Sequence, residues 1–120
     1  MACRITELVL DCTDPEALAG FWCEVLGWRV LGRDDDGSVE IGLPDQHPTL
    51  LFQPVDEPKV RKLRLHVDVS PTDRDQAAEL ERLEALGARR VDIGQGEVSW
   101  HVLADPEGNE FCLLSRRVAG

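Results

Sequence analysis

Residues 62–69, KLRLHVDV, alternate strictly between apolar and polar. Leu63, Leu65, Val67 and Val69 fall on one side, and Lys62, Arg64, His66 and Asp68 on the other. Strict alternation predicts a strand with two unlike faces. Its apolar face needs a hydrophobic cover, and its polar face meets either solvent or a polar cavity. Residues 5–12 repeat the pattern, with Leu8, Leu10 and Cys12 opposite Glu7, Val9 and Asp11.

Each alternating strand leads into a helical pattern. Asp14-Pro15-Glu16 supplies an N-cap, a proline at the first helical position and an acid near the positive helix end. Leu18, Phe21, Trp22, Val25 and Leu26 then recur at helical spacing until Gly27. In the second half, Thr72 with Asp75 resembles a capping box, and Ala77, Leu80, Leu83 and Leu86 mark a helix that stops at Gly87. Extended stretches follow at residues 28–31, 38–43 and 49–53, and again at 89–93, 98–103 and 110–115. Asp105-Pro106-Glu107-Gly108 suits a type I turn. Residues 54–59, PVDEPK, are the one plausible linker. The chain therefore reads as an internal duplication of β-α-β-β-β, with module one at about residues 3–55 and module two at about 60–116. One unit leaves one sheet face uncovered, and two units together enclose a cleft.

Composition narrows the partners. The 120 residues suit one compact domain, and the net charge of -10 argues against nucleic-acid backbones and anionic lipid. Cys3, Cys12, Cys23 and Cys112 form no CxxC pair, and small buried thiols fit a reducing compartment. No stretch approaches the ~20 apolar residues of a membrane span, and the N-terminus lacks a signal peptide's pattern. A cytoplasmic location is expected.

Residues 8–30, LVLDCTDPEALAGFWCEVLGWRV, and 103–114, LADPEGNEFCLL, resemble the vicinal oxygen chelate (glyoxalase/bleomycin-resistance) superfamily. The chain is most similar to small glyoxalase-like proteins with a Phe-Trp pair in the first helix. The resemblance implies an α+β fold in which two tandem βαβββ modules form a curved, cleft-enclosing mixed sheet. It leaves function open among metal-dependent isomerases, lyases, dioxygenases, thiol transferases and metal-free binding proteins. Metal-dependent members place ligands on the first and last strand of each module. Carried over, those positions fall on Glu7, on Leu51 or Phe52, on Arg64 and on Cys112. Leu and Phe cannot ligate, and Arg offers only donors and a fixed positive charge. The resemblance thus implies the fold without an intrinsic metal or cofactor, and an ion pair between Glu7 and Arg64 is expected in the metal's place.

Several side chains remain candidates for the cleft. Arg64 can hold an oxyanion and His66 can move a proton, unless both merely solvate an open face. Glu7 is expected as the partner of Arg64 or as a general base, so Glu7 and His66 are the catalytic candidates. Trp100 offers a platform for a planar ligand, while Trp22 suits the core. Phe52 and Cys112 complete the ligand-binding set, although a lone cysteine between Phe111 and Leu113 is most simply packing filler. The expectation is a small organic molecule bound in the cleft of a homodimer. The alternatives are an enzyme, either metal-assisted through Glu7 and His66 or a metal-free acid–base catalyst, and an interaction subunit with a filled cleft.

Overall fold

In the computed structural model, which describes residues 2–120, the chain divides into two compact units, Met1–Pro58 and Lys59–Gly120. Unit 1 runs β1 (Glu7–Cys12), α1 (Pro15–Leu26), β2 (Arg29–Arg33), β3 (Val39–Gly42) and β4 (Thr49–Pro54). Unit 2 runs β5 (Val67–Val69), α2 (Gln76–Leu86), β6 (Arg89–Arg90), β7 (His101–Ala104) and β8 (Glu110–Leu113). Each unit is thus a βαβββ module with its own four-stranded mixed sheet, ordered β1-β4-β3-β2 and β5-β8-β7-β6. The first strand pairs in parallel with the last, and the other pairings are antiparallel. Among the described residues, no helix is long and apolar enough to cross a membrane.

Local chemistry explains the element boundaries. Asp14 caps α1 by accepting from the Ala17 N–H, Pro15 opens the helix, and Gly27 closes it at φ 67°. In unit 2 the cap is Asp75, which accepts from the Ala78 N–H, so the expected role of Thr72 is corrected. The Asp105 turn forms as read: Gly108 N–H donates to the Asp105 carbonyl, and the buried Asp105 carboxylate accepts from the backbone N–H of Glu107 and Asn109.

In unit 1, register sorts side chains by face. Leu10, Phe52 and Val39 align across β1, β4 and β3 on one face, together with Ile41, and Phe52, Val39 and Ile41 are fully buried. Helix α1 packs near β3 and β4 and buries Leu18, Phe21 and Trp22. Glu7, Val9 and Asp11 align with Thr49, Leu51 and Gln53 on the other face. In unit 2, Leu103, Phe111 and Leu113 are sealed on one face, while Asp68, Cys112 and Val102 share the other.

The strand expected over residues 62–69 is much shorter. Only Val67–Val69 pairs, Leu65 is 73% exposed, and Val67 is also exposed. The partner strand sets this limit. With Val67 opposite Phe111, the residues before His66 would need partners from the Asp105–Asn109 turn. Glu110, the first residue of β8, instead binds the lead-in segment by its side chain. Its carboxylate accepts from Lys59 Nζ at 2.8 Å and from the Leu63 backbone N–H at 2.9 Å. Lys59 and Glu110 are only 18% and 13% exposed.

Burial pushes the Glu110 carboxyl up, but the hydrogen bonds from Lys59 and Leu63 outweigh it and hold the group below the usual glutamate range. A depressed folded-state value stabilises the fold above the unfolded value, and that contribution is lost as pH falls through the folded one. Glu110→Gln is therefore expected to destabilise the chain by about 2–3 kcal/mol at neutral pH. The deficit should shrink as pH is lowered below the ordinary glutamate range, as read by urea unfolding.

Candidate functional site

The polar site grows out of β5 and β8. His66 precedes β5 and Asp68 lies two residues on, so the alternation of an extended chain places both on one side. Parallel pairing sets Asp68 directly opposite Cys112. The result is a cluster in which one ligating atom each of His66, Asp68 and Cys112 lies within 4.8 Å of the others. His66 Nε2 is 3.6 Å from Asp68 Oδ1, too long for a direct hydrogen bond. Burial, then the charge of Asp68 and a hydrogen bond to it, push the Cys112 thiol up, while Lys62 opposes them.

These three side chains line a cavity of about 340 Å³ together with Ile93, Gln95, Trp100 and Leu114. Leu114 takes the next position on the Cys112 side, and its N–H continues the ladder to the Val69 carbonyl at 2.9 Å. Gln95 sits between Gly94 and Gly96, both at positive φ, and its side-chain oxygen accepts from the Ile93 N–H at 2.9 Å. The glycines let this short segment reverse without strain. Gln76, the first residue of α2, donates to the carbonyls of Ser99 at 2.9 Å and Leu113 at 3.2 Å. One amide thereby ties the segment carrying Trp100 to the strand carrying Cys112. Trp100 is 40% exposed and also borders a second, more polar cavity of about 510 Å³ with Arg90, Glu97 and His101.

The expected site residues do not all meet here. His66, Trp100 and Cys112 line the cavity. Arg64 lies exposed in a bend before β5, outside the lining, because the strand that would have aimed it never extends that far. Phe52 is fully buried in the core of unit 1, so its expected place in a binding surface is corrected: it shares a face with Val39 and Leu10 rather than with Glu7. Glu7 opens β1 and is exposed. Trp100 precedes β7 in a bend rather than standing on the expected strand.

Asp68, Ile93, Gln95 and Leu114 were not singled out from the sequence. Asp68 and Leu114 carried a readable signal, since each stands two residues from a chosen residue on the same face. Ile93 and Gln95 carried none, because their place depends on the path of an irregular loop.

Comparison with known proteins agrees with the fold. The glyoxalase-like domain profile matches residues 7–114, so the chain belongs to the glyoxalase-like domain family of the vicinal oxygen chelate superfamily. The fosfomycin resistance protein FosX from Mesorhizobium loti has the same fold, with a TM-score of 0.73 at 15% identity, over 97% of this chain and 94% of that one. A glyoxalase/bleomycin resistance protein/dioxygenase family enzyme from Burkholderia phytofirmans matches at 0.69 and 15%, over 92% and 97%. A possible glyoxalase from Bacillus cereus matches at 0.69 and 17%, over 94% and 99%. No curated protein sequence matches the chain significantly.

The four positions expected from the resemblance to hold a metal do not fit one by residue type. Glu7 and Arg64 are exposed, while Phe52, the alternative to Leu51, and Cys112 are buried. Two of the four residue types offer no lone pair for a cation.

The thiol chemistry is directly measurable. Asp68→Asn removes a charge that disfavours the Cys112 thiolate, while burial persists. Alkylation of Cys112, followed by peptide mass spectrometry at mildly alkaline pH, should accelerate about 3–10-fold in that variant. An unchanged rate would mean that burial alone governs the thiol.

Proposed function

We propose that the protein binds a small organic molecule in the unit 2 cavity. The observation that carries this reading is the pairing of a partly exposed indole, Trp100, with converging polar groups of His66, Asp68 and Cys112 across one cavity. Apolar walls from Ile93, Trp100 and Leu114 suit a flat, largely apolar body. The polar end holds a carboxylate, an imidazole and a thiol, with no arginine in the lining, so it favours a neutral ligand carrying a hydroxyl or carbonyl over an anionic one. An oxyanion ligand loses its expected carrier with Arg64. Free thiols at Cys3, Cys12, Cys23 and Cys112 support a reducing, cytoplasmic setting.

Phenols and aromatic ketones are the probes for this reading. Titrated into the chelator-treated protein, a binding member of that panel should change the indole fluorescence saturably. Trp100→Ala should weaken binding about two- to tenfold, as expected when an aromatic stacking contact of about 0.5–1.5 kcal/mol is removed. A panel that leaves the fluorescence unmoved, or an unchanged affinity in Trp100→Ala, would contradict the cavity as the binding site.

A further inference from the structure

We propose that the cavity takes aromatic ketones conjugated to a carbon–carbon double bond, and that Cys112 adds covalently to them with His66 accepting the thiol proton. The ligand class rests on the cavity reading above; the covalent step rests on where the three side chains stand.

Three observations carry it. First, a nucleophile, a base and a carboxylate meet on one backbone frame. Asp68 and Cys112 are register partners on adjacent strands, and His66 is two residues from Asp68 on the same side. One atom each of the thiol, the imidazole and the carboxylate lies within 4.8 Å of the other two. A turn of the half-exposed His66 ring can close the gap to hydrogen-bond reach, the geometry a nucleophile and its base need. Second, the thiol is withdrawn from solvent yet lines the cavity. Cys112 is 5% exposed and borders the same space as Trp100, Ile93 and Leu114, whereas Cys3 is open to any solute. Third, the resting thiol is held protonated. Burial and the Asp68 carboxylate push it up, and Lys62 opposes them.

Such a thiol is slow toward electrophiles in free solution. A molecule seated on Trp100 is different, because holding its reacting carbon beside the sulfur turns an encounter into an internal step. Once deprotonated, a thiol of raised pKa is also the stronger nucleophile. The sulfur attacks the β-carbon as the thiol proton passes to a His66 ring nitrogen, and Asp68 stabilises the imidazolium. The carbon–sulfur bond forms, and the π pair of the double bond moves onto the carbonyl oxygen as an enolate. The proton then returns to the α-carbon. The sum is addition of S–H across the double bond, so nothing is oxidised or reduced and no further reactant is consumed.

The test incubates the full chain with benzylideneacetone, with and without its saturated counterpart benzylacetone as competitor, and reads adducts by intact-protein and peptide mass spectrometry. The expected result is one adduct per chain at Cys112, formed faster than at Cys3, at a rate that saturates with probe and falls with competitor. Iodoacetamide, which the cavity does not hold, should instead label Cys3 first. His66→Gln should lower the maximal rate at least about tenfold. Trp100→Ala should raise the half-saturating concentration about two- to tenfold. No adduct at Cys112, an adduct that benzylacetone does not slow, or an unchanged maximal rate in His66→Gln overturns the proposal. Site mapping and competition use the wild-type chain, so they decide even where a variant does not fold. Saturable indole quenching by benzylacetone with no adduct from benzylideneacetone overturns the covalent step alone and leaves the cavity reading standing; with no quenching and no adduct, both fall.

Discussion

The parallel register of β5 on β8 is the constraint on which the candidate site depends. It sets Asp68 opposite Cys112, and strand alternation then brings His66 to the same side. A shift of one residue would pair Asp68 with the buried Phe111 or Leu113 and turn its carboxylate into the core. Two features hold the register. Glu110 anchors the lead-in at Lys59 and Leu63, and the Leu114 N–H to Val69 carbonyl bond continues the ladder beyond β8. Gln76 extends the same control to Trp100 by bonding both Ser99 and Leu113. Site geometry is therefore set by backbone pairing and a few side chains that bridge irregular segments to β8.

The two units follow one recipe and diverge in chemistry. Both open with a strand, cap a helix with aspartate, close it with glycine and pair the first strand in parallel with the last. Unit 1 sets Val9 against Leu51 and lets Thr49 donate to Glu40 at 2.7 Å, so part of its polar face is already engaged within the sheet. Unit 2 sets a carboxylate against a thiol, beside an imidazole and a cavity. The same fold thus carries a largely exposed face, with one internal Thr49–Glu40 bond, in one module and a polar cluster beside a cavity in the other, as expected when a shared frame carries different side chains.

Much of the fold was legible in the sequence because its signals are local. Asp14-Pro15, Gly27, Gly87 and the Asp105 turn each act over a few residues, and alternation correctly separated Leu10 and Cys12 from Glu7 and Asp11. The errors have separate physical causes. Residues 62–66 alternate as a strand should, yet a strand needs a partner, and β8 begins too late to supply one. Arg64 and Leu65 were misplaced for that reason. Thr72 lost the capping role to Asp75 because the connection from β5 to α2 is longer than that from β1 to α1, so the helix begins only at Gln76. Phe52 was the alternative to Leu51 for a superfamily position, and the register of β4 on β1 puts Leu51 on the Glu7 face and Phe52 in the core.

In unit 2, His66, Asp68 and Cys112 converge beside the cavity that Trp100 borders. The central claim is that this trio and the Trp100 cavity are one site. Crystals soaked with a brominated phenol, measured across the bromine absorption edge, test it most directly. The account predicts a single strong anomalous peak against the Trp100 indole, with the phenol oxygen in hydrogen-bond reach of His66 or Asp68. No peak in this cavity, or a peak seated only elsewhere on the chain, would contradict it.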